Sequence, residues 1–448
     1  MNGFSRAAHF VATGLLAVVF LTLPAIMPAQ AAVNIQEVKS DGGITAWLVE
    51  DYSVPIISIR FAFRGGSTQD PPGKEGLVKL MSGLFDEGAG DLDRDAFQDK
   101  LDDAGAEMRF SPGRDALYGS MRMLADEKDK ALELLRLAIT SPRFDQEPLD
   151  RVRAQIVAGI ASEAHDPRTA ARQAWTKALY ADHPYSRDDD GTEQALAAIT
   201  ADDVRTIHKR IFARDNLIVG VVGAIDAETL KKELDRLFGG LPEKSQLVPV
   251  SDVTPKLGQE VGVVYNLPQT TLQLAYPGVS RDDPEYFAAY LMNHILGGGT
   301  FTSRLFTEVR EKRGLAYSVN SGLVNYDHAS GLVISTATRS DRAAETLEVI
   351  REIVKEMAQK GVTAEELATA KKYVIGAYAI SNLDDSSSIA STLVGLQVDH
   401  LGKDYIQRRV DLINNVTLDQ VQAAARKLLS VEPAVLVLGP ALGDGGKG

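Results

Sequence analysis

The order of secondary-structure elements in the first half of this chain recurs in the second half at a nearly constant shift. Ser340-Asp341 and Leu347-Glu348 match Ala125-Asp126 and Leu132-Glu133 at a shift of 215. Residues 367–376 match 149–158 at 218, and Thr417-Leu418-Asp419-Gln420-Val421 matches Thr200-Ala201-Asp202-Asp203-Val204 at 217. No single match carries much weight, but their common order and spacing predict two copies of one unit. At 448 residues the chain is also too long for one ordinary core, and 44 % hydrophobic with 24 % charged residues is a soluble globular composition. The expected fold is therefore α+β, with two homologous domains at 33–240 and 259–442. Residues 241–258 are expected to link them, since Pro242, Pro249 and Pro255 stand among polar residues with neither helical nor strand period. Residues 443–448 form a polar tail.

Within the first unit, 44–50 and 55–64 read as strands. In the second, Ile57, Ile59, Phe61 and Phe63 alternate with Ser58, Arg60, Ala62 and Arg64, which predicts one buried face. A helix is expected from Gly76, with Leu77, Leu80, Met81, Leu84 and Phe85 toward the core. Helices follow at 94–104, 127–140, 148–165 and 202–212, and strands at 107–110, 116–123 and 217–222.

Residues 1–31 have the pattern of a cleavable leader: Arg6, an apolar stretch over 10–23, and the small-x-small site Ala29-Gln30-Ala31. The apolar run is short for a span of about 20 residues, and Pro24 and Pro28 interrupt it. Export to the periplasm is expected, with no membrane span after cleavage. Cleavage removes one cation and no acid, taking the net charge from −13 to −14. That disfavours a nucleic-acid partner, which needs a basic face. The chain has no cysteine, so core size rather than disulfides must supply its stability.

The stretch 297–321 is the densest in chemistry. Gly297-Gly298-Gly299 permits close backbone approach, Thr302-Ser303 can cap a following helix, and Gly314 ends that helix before a strand. Arg310 and Tyr317 then stand seven apart across the corner. On residue chemistry alone, Arg310 reads as half of an ion pair and Tyr317 as a half-buried strand aromatic.

Gly65-Gly66-Ser67 through Gly88, His183-Pro184-Tyr185 with Gly191-Thr192, and the segment 297–321 together resemble the pitrilysin/insulinase family of zinc peptidases (inverzincins) over nearly all of the mature chain. Among its members the chain is most similar to bacterial ones of this length and to the mitochondrial processing peptidase and bc1 core subunits. The resemblance implies two α/β-roll domains, each an antiparallel-rich sheet backed by helices, forming half of a clamshell. It also implies a catalytic H-x-x-E-H, with two histidines one turn apart, a distant glutamate as third zinc ligand, and the motif glutamate as general base.

That motif falls on Lys79-Leu80-Met81-Ser82-Gly83, and the distant acids on Val152 and Gly159. Lys79 is a cation where a ligand should bind one, Ser82 cannot serve as carboxylate base, and Gly83 and Gly159 have no side chain. Glu163 and His165 lie past the expected helix face. His183, His208, His294, His328 and His400 stand singly and read as structural or surface residues, without a second histidine at i+4.

The resemblance assigns Arg310 and Tyr317 to the family's Arg/Tyr pair, donors that reach a substrate carbonyl near the zinc, and Gly297, Gly298 and Gly299 to peptide approach. Arg304 and Arg313 are left as helix-surface or structural charges. The expectation is a non-catalytic subunit with no cofactor of its own, supplying the Arg/Tyr pair and chamber surface to a zinc-bearing homologue with an intact H-x-x-E-H that acts on peptides. The alternative is a non-proteolytic structural or peptide-binding homodimer, like the core proteins.

Overall fold

The computed structural model describes residues 33–442, so the expected leader 1–31 and tail 443–448 lie outside the described residues. The first repeat contains strands β1 (Gln36–Lys39), β2 (Thr45–Glu50) and β3 (Ile56–Arg64), a short ribbon β4 (Gly88–Ala89) and β5 (Leu92–Asp93), then β6 (Glu107–Pro112), β7 (Ala116–Leu124) and β8 (Leu217–Gly223). Its helices are α1 (Leu77–Ser82), α2 (Arg94–Asp103), α3 (Lys128–Thr140), α4 (Gln146–Glu163), α5 (Pro167–Tyr180), α6 (Glu193–Ala197), α7 (Ala201–Ile211) and α8 (Ala227–Phe238). The second repeat contains β9 (Glu260–Val264), β10 (Gln269–Pro277), β11 (Ala316–Tyr326), β12 (Ala329–Arg339) and β13 (Ala434–Gly439), with helices α9 (Tyr286–Asn293), α10 (Ala343–Lys360), α11 (Ala364–Asn382), α12 (Ser386–Val398), α13 (Tyr405–Asn414) and α14 (Leu418–Leu429).

The two sheets share one topology. The first runs β1-β2-β8-β3-β7-β6 and the second, read from the other end, β9-β13-β10-β12-β11. Each is antiparallel except for one parallel pair at the corresponding place, β2 with β8 and β9 with β13. The repeat therefore extends to strand order and direction. The same caps recur as well: Thr200, Thr363 and Thr417 each accept the backbone N–H three residues on, while that residue's side chain accepts the threonine's own N–H, which fixes where α7, α11 and α14 begin.

Each sheet buries one face under its own helices. In the first, Ile57, Ile59, Phe61 and Phe63 of β3 and Val219 and Val221 of β8 meet the apolar sides of α3, α7 and α8. In the second, Leu272, Leu274, Ile334, Val435 and Val437 meet α10 and α14. At 25–30 cal/mol per Å² of buried apolar surface, these two cores are the main source of stability for a chain without disulfides.

The opposite faces are not left to water. Trp175, Ala171 and Leu179 of α5, a helix of the first repeat, pack on Ala434, Leu436 and Leu438 of β13 and Ala275 of β10. Conversely α12, from the second repeat, lies across β8 and β3. Gly220 allows this: a Cβ there would meet the Ala390 carbonyl and the Leu393 Cβ, both at 2.9 Å. The sequence reading of β3 as buried on one face is corrected accordingly, because α12 covers Ser58 and Ala62 on the other. Equivalent helices of the two repeats are thus exchanged between sheets.

The segment 241–258 has no regular structure but is fastened along its length. Val248 exchanges hydrogen bonds with the Gln69 side chain, Val253 N–H donates to the His328 carbonyl and Lys256 N–H to the Leu179 carbonyl. Among the described residues no helix is long and apolar enough to cross a membrane.

Candidate functional site

The helix that carries the H-x-x-E-H positions starts at Gly76, whose left-handed backbone (φ +90°) only glycine adopts without strain. The buried Asp70 carboxylate accepts the N–H groups of Gly76 (2.8 Å) and Val78 (2.9 Å), and burial pushes it up to about 7 against those two donors. Lys79 projects outward and pairs with Asp190 at 3.3 Å. It lines a cavity of about 360 Å³ with Ile156, Gly159, Glu163, Asp188 and Asp190. The Ser82 hydroxyl is turned back onto the Lys79 carbonyl (2.7 Å), and a Cβ at Gly83 would meet Val152 at 3.0 Å.

Lys79 and Gly159 therefore share one cavity, and Gly83 abuts Val152, so α1 and α4 bring together the five positions singled out in the sequence. Their chemistry does not suit zinc, which needs three or four nitrogen, sulfur or carboxylate donors at about 2.0–2.3 Å. Lys79 already supplies the positive charge to Asp190, and the neighbouring positions are a back-bonded serine, two glycines and a valine. Glu163 and His165 are exposed at the end of α4. Among the described residues no group of three or more His, Asp or Glu is placed to hold a metal.

On the second repeat, the π-helical turn His294–Gly298 takes in the first two glycines of the run, and a second, Phe306–Glu311, follows it and leads toward β11. Wide turns of this kind are uncommon and concentrate at functional sites. The Ser303 hydroxyl accepts the Phe306 N–H (3.4 Å) at the start of the second turn. Gly314, at φ +59°, closes it, with its N–H donated to the Arg310 carbonyl and that of Leu315 to the Val309 carbonyl. The β11–β12 register then shifts between Ala316 and Val319, and this bulge turns Tyr317 outward.

Tyr317 is 82 % exposed. The Arg310 guanidinium lies between two rings, 4.7 Å from the centroids of both Phe306 and Tyr317. Each such contact is worth about 0.5–1 kcal/mol at a partly exposed site. No acid among the described residues pairs with Arg310, so the ion-pair reading from residue chemistry does not hold, nor does the half-buried reading of Tyr317. The outcome is a half-buried guanidinium packed between two rings, one of them the exposed phenol of Tyr317. Arg304, by contrast, is engaged by Glu366 and the Gly361 carbonyl, and Arg313 by Glu308.

The glycine run has a mainly internal reason. A Cβ at Gly297 would meet Ser321 N at 2.7 Å and Leu305 at 2.8 Å, and one at Gly299 the His294 carbonyl at 2.8 Å. Gly298 is the exposed member. Phe301, Tyr373 and Ile380 add exposed apolar surface at 65 %, 57 % and 76 %, and Tyr373 of α11 stacks on His294 beside the run (5.1 Å).

The remaining histidines are occupied singly. His208 is buried, donates through Nε2 to the Ile139 carbonyl and is pushed down to about 4 by burial. His183 accepts the Tyr185 N–H, and His328 lies 3.0 Å from Asp252. Sequence reasoning missed what Tyr185 does. Its hydroxyl donates to Asp115 and accepts the His328 N–H, its ring packs on Tyr326, and Arg114 lies over both rings. Phe306 was also missed, although its place four residues before Arg310 put it one helical turn away.

The family model described as the peptidase M16 inactive domain matches residues 198–374. A non-peptidase homologue of Helicobacter pylori is 27 % identical over 380 residues, covering 83 % of this chain and 86 % of that protein. An uncharacterised zinc protease of Mycobacterium leprae is 28 % identical over 76 % of this chain and 77 % of its own. The crystal structure of a peptidase M16 inactive domain from Pseudomonas fluorescens superposes with a TM-score of 0.84 at 28 % identity, over 91 % of this chain and 98 % of that one.

Proposed function

The chain belongs to the M16 peptidase family as an inactive member, and on that premise we propose that it is the non-catalytic subunit of a heterodimeric zinc peptidase. It is not a peptidase by itself: the residues at the H-x-x-E-H positions can neither bind zinc nor take a proton from a zinc-bound water. In this reading the zinc and its H-x-x-E-H belong to a homologous partner. This chain supplies Arg310 and Tyr317 to the partner's site and lines half of a clamshell chamber for peptides or unfolded segments.

The observation that carries the proposal is the contrast between the two sites. At α1 the cation is built in and paired with Asp190, whereas Arg310 is oriented by two rings without a carboxylate to neutralise it. A guanidinium and a phenol so placed can donate to a peptide carbonyl and to the oxyanion that develops on it. The exposed surface of Phe301, Tyr317, Tyr373 and Ile380, and the unpaired outer side of β11 at the sheet edge, offer an extended peptide both apolar contact and backbone partners.

The leader at 1–31 would place this assembly in the periplasm, where mass measurement of the mature chain should give a start near residue 32. The test of function is co-purification from that compartment followed by reconstitution. A zinc-bearing homologue should accompany the chain, and peptide cleavage should need both. If the chain alone binds stoichiometric zinc and cleaves peptides, the proposal fails; if it purifies only with itself, a peptide-holding homodimer takes its place.

A further inference from the structure

We propose that the seam between the first sheet and α12 is a binding site for a small oxyanion, a phosphate or the carboxylate end of a peptide, held by Arg60, Arg109 and Arg122. The proposal is independent of the pairing with a zinc subunit.

The strand register makes the site. On the face of the sheet turned toward α12, Arg60 of β3 stands opposite Ser120 of β7, which stands opposite Arg109 of β6. One row along, Ser58 stands opposite Arg122 and Arg122 opposite Glu107. Adjacent strands are about 4.8 Å apart, so three guanidiniums share a small area of one face. All six residues line a cavity of about 130 Å³, closed on the other side by Ser387, Ala390 and Ser391 of α12.

In a chain of net charge −13, arginines ordinarily find acids, and most in this protein do. These three do not. Among the described residues none is within ion-pair distance of a carboxylate, and the only close partner of Arg60 is the ring of Tyr118, at 5.5 Å. Two acids are near. Glu107 faces Arg122 in register without pairing with it, and the Asp385 carboxylate, held by the N–H groups of Ser387 and Ser388 at the start of α12, feels the charge of Arg122 without coming within ion-pair distance of it.

The second, independent observation is Ser58. Its residue is 3 % exposed, and its hydroxyl oxygen is buried without a hydrogen-bond partner. A buried hydroxyl with no partner is costly and uncommon in native proteins. An acceptor seated among the three guanidiniums would supply the missing partner. Guanidinium forks and hydroxyl donors around a compact space are the donor set of phosphate and carboxylate recognition.

The experiment is a calorimetric titration of the full mature chain at constant ionic strength. The probes are inorganic phosphate and an N-acetylated tetrapeptide with a free or an amidated C-terminus. Phosphate or the free-carboxylate peptide should bind at one site, and whichever binds identifies the source of the oxyanion. Arg109→Gln combined with Arg122→Gln, both at exposed positions, should weaken that binding roughly tenfold or more while leaving the melting temperature in anion-free buffer unchanged. The proposal is overturned if neither probe titrates, if the double variant binds as well as the parent, or if the amidated peptide binds as tightly as the free one.

Discussion

Arg310 and Tyr317 show how far a residue's role depends on what stands beside it. Their identity and spacing were legible in the sequence, but the ring of Phe306, which completes the sandwich around the guanidinium, was not read until the π-helical turn brought it there. In the reconstituted pair, Arg310→Ala should lower turnover by roughly 10²–10³, the usual cost of removing one oxyanion donor. Tyr317→Phe should do the same with its ring contact to Arg310 kept. Neither change should move the melting temperature of the chain alone by more than about 2 °C, because Tyr317 is exposed and half-buried Arg310 gives up only two ring contacts of about 0.5–1 kcal/mol each; full activity in both variants would dismiss the role. His208 offers a separate test by pH. Burial holds it near 4 in the folded chain against 6.5 when unfolded, so the unfolded state binds more protons between those values. Stability from this residue is complete above about pH 6.5 and declines as pH falls toward 4, by about 2 kcal/mol between pH 7 and 5. Urea midpoints at the two pH values should differ by less in His208→Gln than in the parent, whatever the variant's absolute stability. An undiminished difference would place the acid sensitivity elsewhere.

At the scale of elements, hydrophobic periodicity placed β2, β3, β6, β7 and β8 and α1, α2, α3, α4 and α7 of the first repeat to within a few residues, but it left β1, the β4–β5 ribbon, α5, α6 and α8 unread. What periodicity could not convey is which element covers the second face of a sheet. β3 alternates as a one-sided strand should, yet Ser58 and Ala62 are buried because a helix more than 320 residues further along lies over them. The signal was present only as Gly220, a glycine inside a strand, where close approach of another backbone is the usual reason. Gly220→Val should drive a side chain into the Ala390 carbonyl and Leu393 of α12, at a cost of about 1–3 kcal/mol typical of overpacking. Chemical denaturation would register that loss, and a variant as stable as the parent would mean that α12 docks less closely than its contacts indicate. The cavity at Lys79 belongs to this scale too. Residue identity at Lys79, Ser82, Gly83 and Gly159 reads as a helix face without zinc ligands, and the structure adds that Lys79 pairs there with Asp190 of the loop before α6.

Across the whole molecule the internal repeat was the most legible feature and its interlocking the least. Exchange of α5 and α12 between the sheets is a long-range arrangement that leaves no local pattern, and the sequence reading of 241–258 as a plain linker did not foresee its contacts with both repeats. The two tryptophans report on this arrangement separately, since Trp47 lies in the first sheet and Trp175 on the second. With Trp47→Phe, the fluorescence of Trp175 and the far-ultraviolet circular dichroism should fall in a single coincident urea transition, as one cooperative unit requires; two resolved transitions would mean that the repeats unfold independently. Residues 33–240 expressed alone would leave the outer face of β3 and β8 uncovered and α5 without a sheet, and should aggregate unless 259–442 is supplied with them. This mutual clasp has a mechanical corollary. A chain whose halves each grip the other has no door of its own: 241–258, fastened to both repeats, is a strap rather than a hinge, and in the proposed pair any opening wide enough to admit a peptide would have to happen along the boundary between the two chains.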